Sequence, residues 1–130
     1  MAKKSGKDFD YYMTSFFTKY LAGERCLSTN TIKSYRDTFK LYLIFMDSVK
    51  KIPPNKMTLN DFTHDSVVEY LDWLESSKNS RKSSQNVRLA AIHSFVKYVQ
   101  LDDIDRLLEY KRILAIKRKK HASREIPYLS

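Results

Sequence analysis

The sequence predicts an all-α fold, a bundle of four to five helices. The chain of 130 residues holds only two Gly and three Pro. These are too few for the many tight turns of a β-sandwich or barrel. Apolar residues make up 42% of the composition, enough to bury a core and too many for a disordered chain. They recur at spacings of three and four along five segments, which is typical of amphipathic helices.

The first two predicted helices begin at capping residues. Asp8 caps a helix over residues 8–22, and Gly23 suits the left-handed residue after its end. Ser28 caps a second helix that runs to about Val49, before a Pro-Pro pair that cannot continue it. Roughly twenty residues at about 1.5 Å each give this second helix a length of about 30 Å.

Three further helices follow the proline-containing linker. Thr63 caps the third helix, and a polar, basic loop separates it from the fourth, which begins near Ser83 or Ser84. Asp102 or Asp103 starts the fifth helix. The apolar residues expected to be buried on the fifth helix are Ile104, Leu107, Leu108 and Leu114.

The chain divides into a disordered tail (1–7), a helical domain (8–116) and a basic linker (117–130) that leads into a further domain. Its first residues lack the apolar run of a secretory signal, and no run approaches the roughly 18 apolar residues that span a bilayer. Cys26 stands alone, so it cannot form an internal disulfide. We therefore expect a cytoplasmic protein with no membrane partner.

The charge of the chain favours a polyanionic partner, with simple solubility as the alternative explanation. Lys and Arg total 24 against 15 Asp and Glu, a formal net charge of +9, which is typical of nucleic-acid binding. There is no glycine-rich phosphate loop, and the three His share no metal-ligand spacing. Three Asp between residues 102 and 105 are typical of helix caps. The sequence predicts a binder with no catalytic residue, metal, cofactor or small-molecule substrate.

Two helices carry polar, basic N-terminal halves. On the second helix, Thr29, Lys33, Arg36 and Lys40 are spaced four, three and four apart and line one face. Around the fourth helix, no acid occurs between residues 76 and 100. Hydroxyls, amides and cations at a helix start can bind phosphate oxygens, and Gln, Asn and Arg can reach base edges. The fourth-helix candidates are Arg81, Lys82, Ser84, Gln85, Asn86 and Arg88.

A third basic element follows the fifth helix. It comprises Lys117, Arg118, Lys119 and Lys120, and it could track a phosphate backbone or be only a solvated tail.

Four segments resemble the tyrosine recombinase, or phage-integrase, family. They are S-T-N-T-I-x-S-Y-R (28–36), N-D-F-T-H-D-S-V-V-E-Y-L-x-W-L-E (60–75), N-V-R-L-A-A-I-H-S-F-V-K-Y-V (86–99) and R-E-I-P-Y-L-S (124–130). Together they cover nearly the whole chain from about Asp8, and their order and spacing are more specific than any one of them.

The resemblance implies a SAM-like orthogonal helical bundle, the N-terminal core-binding domain of the family. Such a domain forms half of a clamp on double-stranded DNA, with the second and fourth helices facing the major groove. It implies partners in double-stranded DNA and other recombinase protomers, in a bacterial, nucleoid-associated setting. The catalytic residues belong to a following domain, so strand cleavage is expected of a parent protein. On the second helix, the resemblance implies that six residues lie near DNA: Thr29, Asn30, Thr31, Lys33, Ser34 and Arg36.

Two alternatives stay open at this point. The first is a helical protein-interaction module whose charge is incidental, which an exposed apolar stripe on the first or fifth helix would indicate. The second is an unrelated helix-turn-helix repressor. That motif needs a turn of three or four residues, shorter than the connections expected here.

Overall fold

The computed structural model describes residues 8–25, 27–77 and 81–118, and these residues form helices with no strand. The all-α prediction is confirmed. The helices are α1 (Phe9–Ser15), a π-helical continuation (Phe16–Glu24), α2 (Thr29–Ser48), α3 (His64–Ser77), α4 (Lys82–Val99) and α5 (Leu107–Leu114). Short 3₁₀ turns occupy Pro54–Lys56, Leu59–Asp61 and Ile104–Arg106. The tail 1–7 and the residues from Lys119 onwards lie outside the described residues.

The first helix begins as predicted but ends differently. The Asp8 carboxylate accepts hydrogen bonds from the amides of Phe9 and Leu59, both at 2.8 Å, so it caps α1 and holds the 3₁₀ turn. The helix then widens into the π-helical continuation, in which Gly23 lies. Gly23 does not adopt a positive φ, so its prediction as a left-handed terminator was wrong.

A lysine in the left-handed region turns the chain after the second helix. Ser28 caps its start as predicted, accepting from the Thr31 amide at 3.2 Å. At the other end Lys51 has φ 63°, and the next amide, that of Ile52, donates to the Met46 carbonyl at 3.0 Å. The chain therefore turns before the Pro-Pro pair is reached, at a residue whose Cβ disfavours this conformation.

The third helix has reciprocal caps. The Thr63 hydroxyl accepts from the Ser66 amide at 3.1 Å, and the Ser66 hydroxyl accepts from the Thr63 amide at 3.0 Å. The amide of His64, the first residue of the helix, donates to Glu109 of α5 at 2.6 Å. The predicted cap is confirmed, and α5 supplies an additional acceptor at the same helix start.

The last two helical segments begin close to the predicted residues, but without side-chain caps. α4 begins at Lys82, without a serine side chain as its cap. Asp103 directly precedes the 3₁₀ turn Ile104–Arg106, which continues into α5 at Leu107, but its side chain does not cap this segment. Instead the Asp103 carboxylate accepts from the Arg106 guanidinium at 2.8 Å and from the Tyr110 hydroxyl at 2.5 Å. Burial and this bond raise the pKa of Tyr110.

The buried side of α5 also differs from the prediction. Ile104 and Leu108 are exposed, Leu107 is partly exposed, and Tyr110 and Ile113 are fully buried in their place. Leu108 stands two residues before Tyr110, about 200° from it around the α5 axis, so the two side chains lie on opposite sides of the helix. Leu114 packs against the core as predicted.

The core is rich in aromatic rings and centres on Phe95 of α4. This ring lies 5.4–5.7 Å from the rings of Phe9, Phe16, Phe39 and Phe62. The contacts are edge-on or tilted, as aromatic pairs prefer. Because these rings come from α1, its continuation, α2 and the linker before α3, one residue of α4 joins most of the bundle.

Candidate nucleic-acid interface

The outward face of α2 is polar and basic. Thr29, Lys33, Arg36 and Lys40 are exposed, and the opposite face carries the buried rings of the core. The Arg36 guanidinium lies 5.7 Å from the centre of the Phe17 ring, a cation–π distance that leans it toward the π-helical continuation. Three cations thus stand on one solvent-facing side of a helix.

The first turn of α2 adds hydroxyls and an amide. Asn30 is exposed, whereas Thr31 and Ser34 are partly buried. The Thr31 hydroxyl accepts from the Ser28 hydroxyl at 3.0 Å, so it belongs to the cap.

Arg88 joins the N-terminal halves of α2 and α4. Its Nη1 lies 3.3 Å from the Thr38 hydroxyl and 3.5 Å from the Ser34 carbonyl oxygen. The Thr38 hydroxyl donates to the same carbonyl at 3.1 Å. The two polar helix starts are therefore neighbours. However, Arg36 and the residues that receive Arg88 are about 200° apart around the α2 axis, so the two arginines lie on different flanks.

Two of the predicted base-reading residues are buried. Gln85 is 1% exposed and Asn86 is 7% exposed. Gln85 precedes Leu89 and Ile92 by four and seven residues, which places it on the core stripe of α4. We therefore correct the prediction that Gln85 presents its amide to a DNA groove, whereas Asn86, although mostly buried, lines a groove on the surface of α4. Arg81, Ser83, Ser84 and Val87 are exposed at this end of α4 instead.

A basic groove runs between α4, α2 and the end of the π-helical continuation. It encloses about 300 Å³ and is lined by Tyr20, Arg25, Tyr35, Ala90, His93, Ser94 and Lys97. The Arg25 guanidinium stands 5.9 Å from the Tyr20 ring centre. Sequence reasoning missed Arg25, which lies where the helical periodicity stops. It also missed Lys97, although Ala90, Ser94 and Lys97 recur at helical spacing on α4.

A second groove brings the basic run against α4. It encloses about 440 Å³ and is lined by Ser83, Asn86, Val87, Leu89, Ala90, His93 and Arg118. Lys117 and Arg118 are both exposed, whereas Lys119 and Lys120 lie outside the described residues.

His93 fixes the end of α5 beside this groove. Its Nε2 donates to the Ile113 carbonyl at 2.9 Å, and burial lowers its pKa. The neutral imidazole is therefore favoured, with its proton on Nε2.

The other end of the domain is apolar and acidic. We call the residues Leu101, Ile104, Leu107 and Leu108 the α4–α5 corner; Leu101 is 77% exposed, Ile104 69% and Leu108 76%. Asp102 and Asp105 are exposed between them. The Tyr12 hydroxyl donates to Asp102, which ties the corner to α1.

Within the described residues, no group of His, Cys, Asp and Glu is arranged to hold a metal ion. The helices of that part of the chain are also too short or too polar to cross a bilayer.

Residues 15–102 match the family model described as "Phage integrase, N-terminal SAM-like domain". The chain belongs to this family. The resemblance seen in the sequence is confirmed, as is the SAM-like helical fold.

Two curated relatives from Sinorhizobium fredii are similar to this integrase-type chain. "Putative integrase/recombinase y4rC" is 33% identical over 118 residues, which are 91% of this chain and 36% of the relative. "Putative integrase/recombinase y4rD" is 30% identical over 104 residues, 80% of this chain and 37% of the relative. The chain thus spans little more than a third of the length of either relative. No solved structure matches it significantly.

Proposed function

We propose that this chain is the core-site-binding domain of a site-specific tyrosine recombinase, holding duplex DNA during integration and recombination. Family membership and the integrase/recombinase relatives support the class. The observation that carries the DNA-binding role is the bond from Arg88 to Ser34 and Thr38, because it sets two basic helix starts side by side.

Affinity would come mainly from cations on phosphates. On α2 these are Lys33, Arg36 and Lys40, which stand free of the core. From α4 and the basic run they are Arg81, Lys82, Lys117 and Arg118, together with Lys119 and Lys120 further along. Phosphate contacts set register and orientation, whereas the hydroxyls and amide of Thr29, Asn30 and Ser84 would supply a modest sequence preference.

Catalysis is not assigned to this part of the recombinase. A tyrosine nucleophile in a separate domain of the parent protein would cleave the strand. The domain would act beside other protomers on DNA, in the bacterial cytoplasm at the nucleoid.

The salt dependence of duplex binding tests this proposal. If about five phosphates are neutralised, a plot of log K against log salt should have a slope near −4.5. We expect K33E/R36E to flatten that slope by about 1.8, because two phosphate contacts are lost.

The matched control for that experiment is K56E/K111E. It reverses two exposed lysines outside α2 and α4 and makes the same change in net charge. An equal loss of duplex affinity in both double variants would mean that only the overall charge matters. Unchanged affinity of K33E/R36E would show that α2 is not part of the interface.

The α4–α5 corner favours a second role, contact with another protein chain. Exposed apolar clusters on soluble domains usually mark such contacts. L101K/L108K should leave the fold unchanged and lower self-association in sedimentation velocity, in the presence of a duplex. Unchanged association would exclude the corner from assembly.

A further inference from the structure

Val87 is an apolar side chain on the polar, cationic side of the domain. It is 48% exposed, and its neighbours on the same side of α4 are Ser83, Ser84 and Ala90, all exposed. The core stripe of the helix runs through Leu89 and lies on another face. Core packing therefore does not account for a branched apolar residue at this position.

Cations flank this face of α4 on two sides. Arg118 lies across the groove that Val87 lines. Arg25 and Lys97 line the other groove, which shares Ala90 with the first. None of the described residues lining the two grooves is acidic. A helix face with a neutral centre and positive flanks complements a groove whose two walls are phosphate backbones and whose floor is base edges.

The apolar group on that floor is the C5-methyl of thymine. Cytosine carries only a hydrogen at the same position, and the remaining groups of the major-groove edges are hydrogen-bond donors and acceptors that valine would leave unsatisfied. Resting on the proposed DNA-binding function, we propose that Val87 is a specificity-determining residue that contacts a thymine methyl in the major groove.

A change of one chemical group in the DNA tests this assignment. The alternating duplexes poly(dA-dT) and poly(dA-dU) have the same phosphates and minor-groove edges and differ in the C5-methyl. We expect the wild-type chain to bind the thymine duplex about fourfold more tightly, the ratio expected for burying one methyl group. Val87→Ala should bring that ratio close to one while leaving the salt slope unchanged.

Val49→Ala is the matched control. Val49 is 47% exposed and follows the end of α2, so the same two methyl groups are removed from an equally exposed site. This variant should keep the wild-type ratio.

Each outcome decides the assignment. A ratio near one for the wild-type chain, or an undiminished ratio for Val87→Ala, overturns the role of Val87 while duplex binding itself stands. Failure to bind either duplex at low salt overturns the proposed function and this inference together.

Discussion

The N-terminal halves of α2 and α4 and the α4–α5 corner belong to the same small bundle but expose opposite chemistry. The first region presents Lys33, Lys40 and Arg81, and it also exposes the hydroxyls of Thr29, Ser83 and Ser84. The corner presents Leu101 and Leu108 with aspartates between them. The formal net charge of +9 is therefore distributed unevenly, because one region is basic and the other is acidic and apolar. This difference separates a surface suited to a polyanion from a surface suited to another protein.

The core that supports both regions should give the largest effect. Phe95→Ala removes the ring that contacts four others, and we expect a loss of about 3–5 kcal/mol in the free energy of unfolding. Urea denaturation followed by circular dichroism measures it. Phe95→Leu should cost less because it leaves a smaller cavity. A small loss for both variants would mean that the regions do not share one core.

The hydrogen bonds between α2 and α4 should give the next largest effect. Arg88→Met removes the hydrogen bonds to Ser34 and Thr38, and we expect a loss of about 1–2 kcal/mol in unfolding free energy. Lys97→Met, an exposed cation on the same helix, should change stability by less than about 0.5 kcal/mol. If both variants are equally stable, Arg88 does not hold the two helix starts together.

Substitutions at Lys51, outside the basic region and the α4–α5 corner, should change stability by a smaller amount. Lys51 has a positive φ, so Lys51→Gly should stabilise the fold by about 0.5–1 kcal/mol, with relieved strain exceeding the extra flexibility of the unfolded chain. Lys51→Ala keeps the strain and should not stabilise. Thermal melts test both variants, and a gain from alanine equal to that from glycine would contradict the explanation.

The smallest effect concerns the histidine between the two regions. Burial lowers the pKa of His93 in the folded state, so the unfolded chain binds the proton more readily. Its contribution to stability is present above about pH 6.5, the ordinary histidine pKa, and is lost as the pH falls below it. The difference in unfolding free energy between wild type and His93→Gln should shift against wild type from pH 7.5 to 5.5. A difference that does not vary with pH would contradict this coupling.

Much of the fold could be predicted because the long helices have regular apolar spacing and recognisable caps. Asp8, Ser28 and Thr63 act at helix starts as their positions indicated. The errors arise where tertiary contacts determine the backbone conformation or the hydrogen-bond partners of a residue. Nothing in the sequence indicates that Lys51 adopts the left-handed conformation usual for glycine. The Asp103 carboxylate binds Arg106 and Tyr110 and does not cap a helix.

The site was harder to predict than the fold. Periodicity correctly gave α2 an outward basic face, but at the start of α4 the polar composition concealed that Gln85 continues the core stripe. Arg25 and Arg118 line the two grooves beside α4, but both belong to segments without helical periodicity. Their position next to α4 depends on the tertiary fold. Which residues share a groove depends on how helices cross, and spacing along one helix does not contain that information.

The short helix α5 has consequences for where this domain can be cut. Glu109 accepts a hydrogen bond from the first amide of α3, and the Ile113 carbonyl accepts one from the His93 ring. A version of the chain that stops before residue 107 would thus lose more than a C-terminal turn. The start of α3 would lose its Glu109 acceptor, and His93 of α4 would lose its hydrogen-bond partner. The eight residues of α5 therefore hold two longer helices in place.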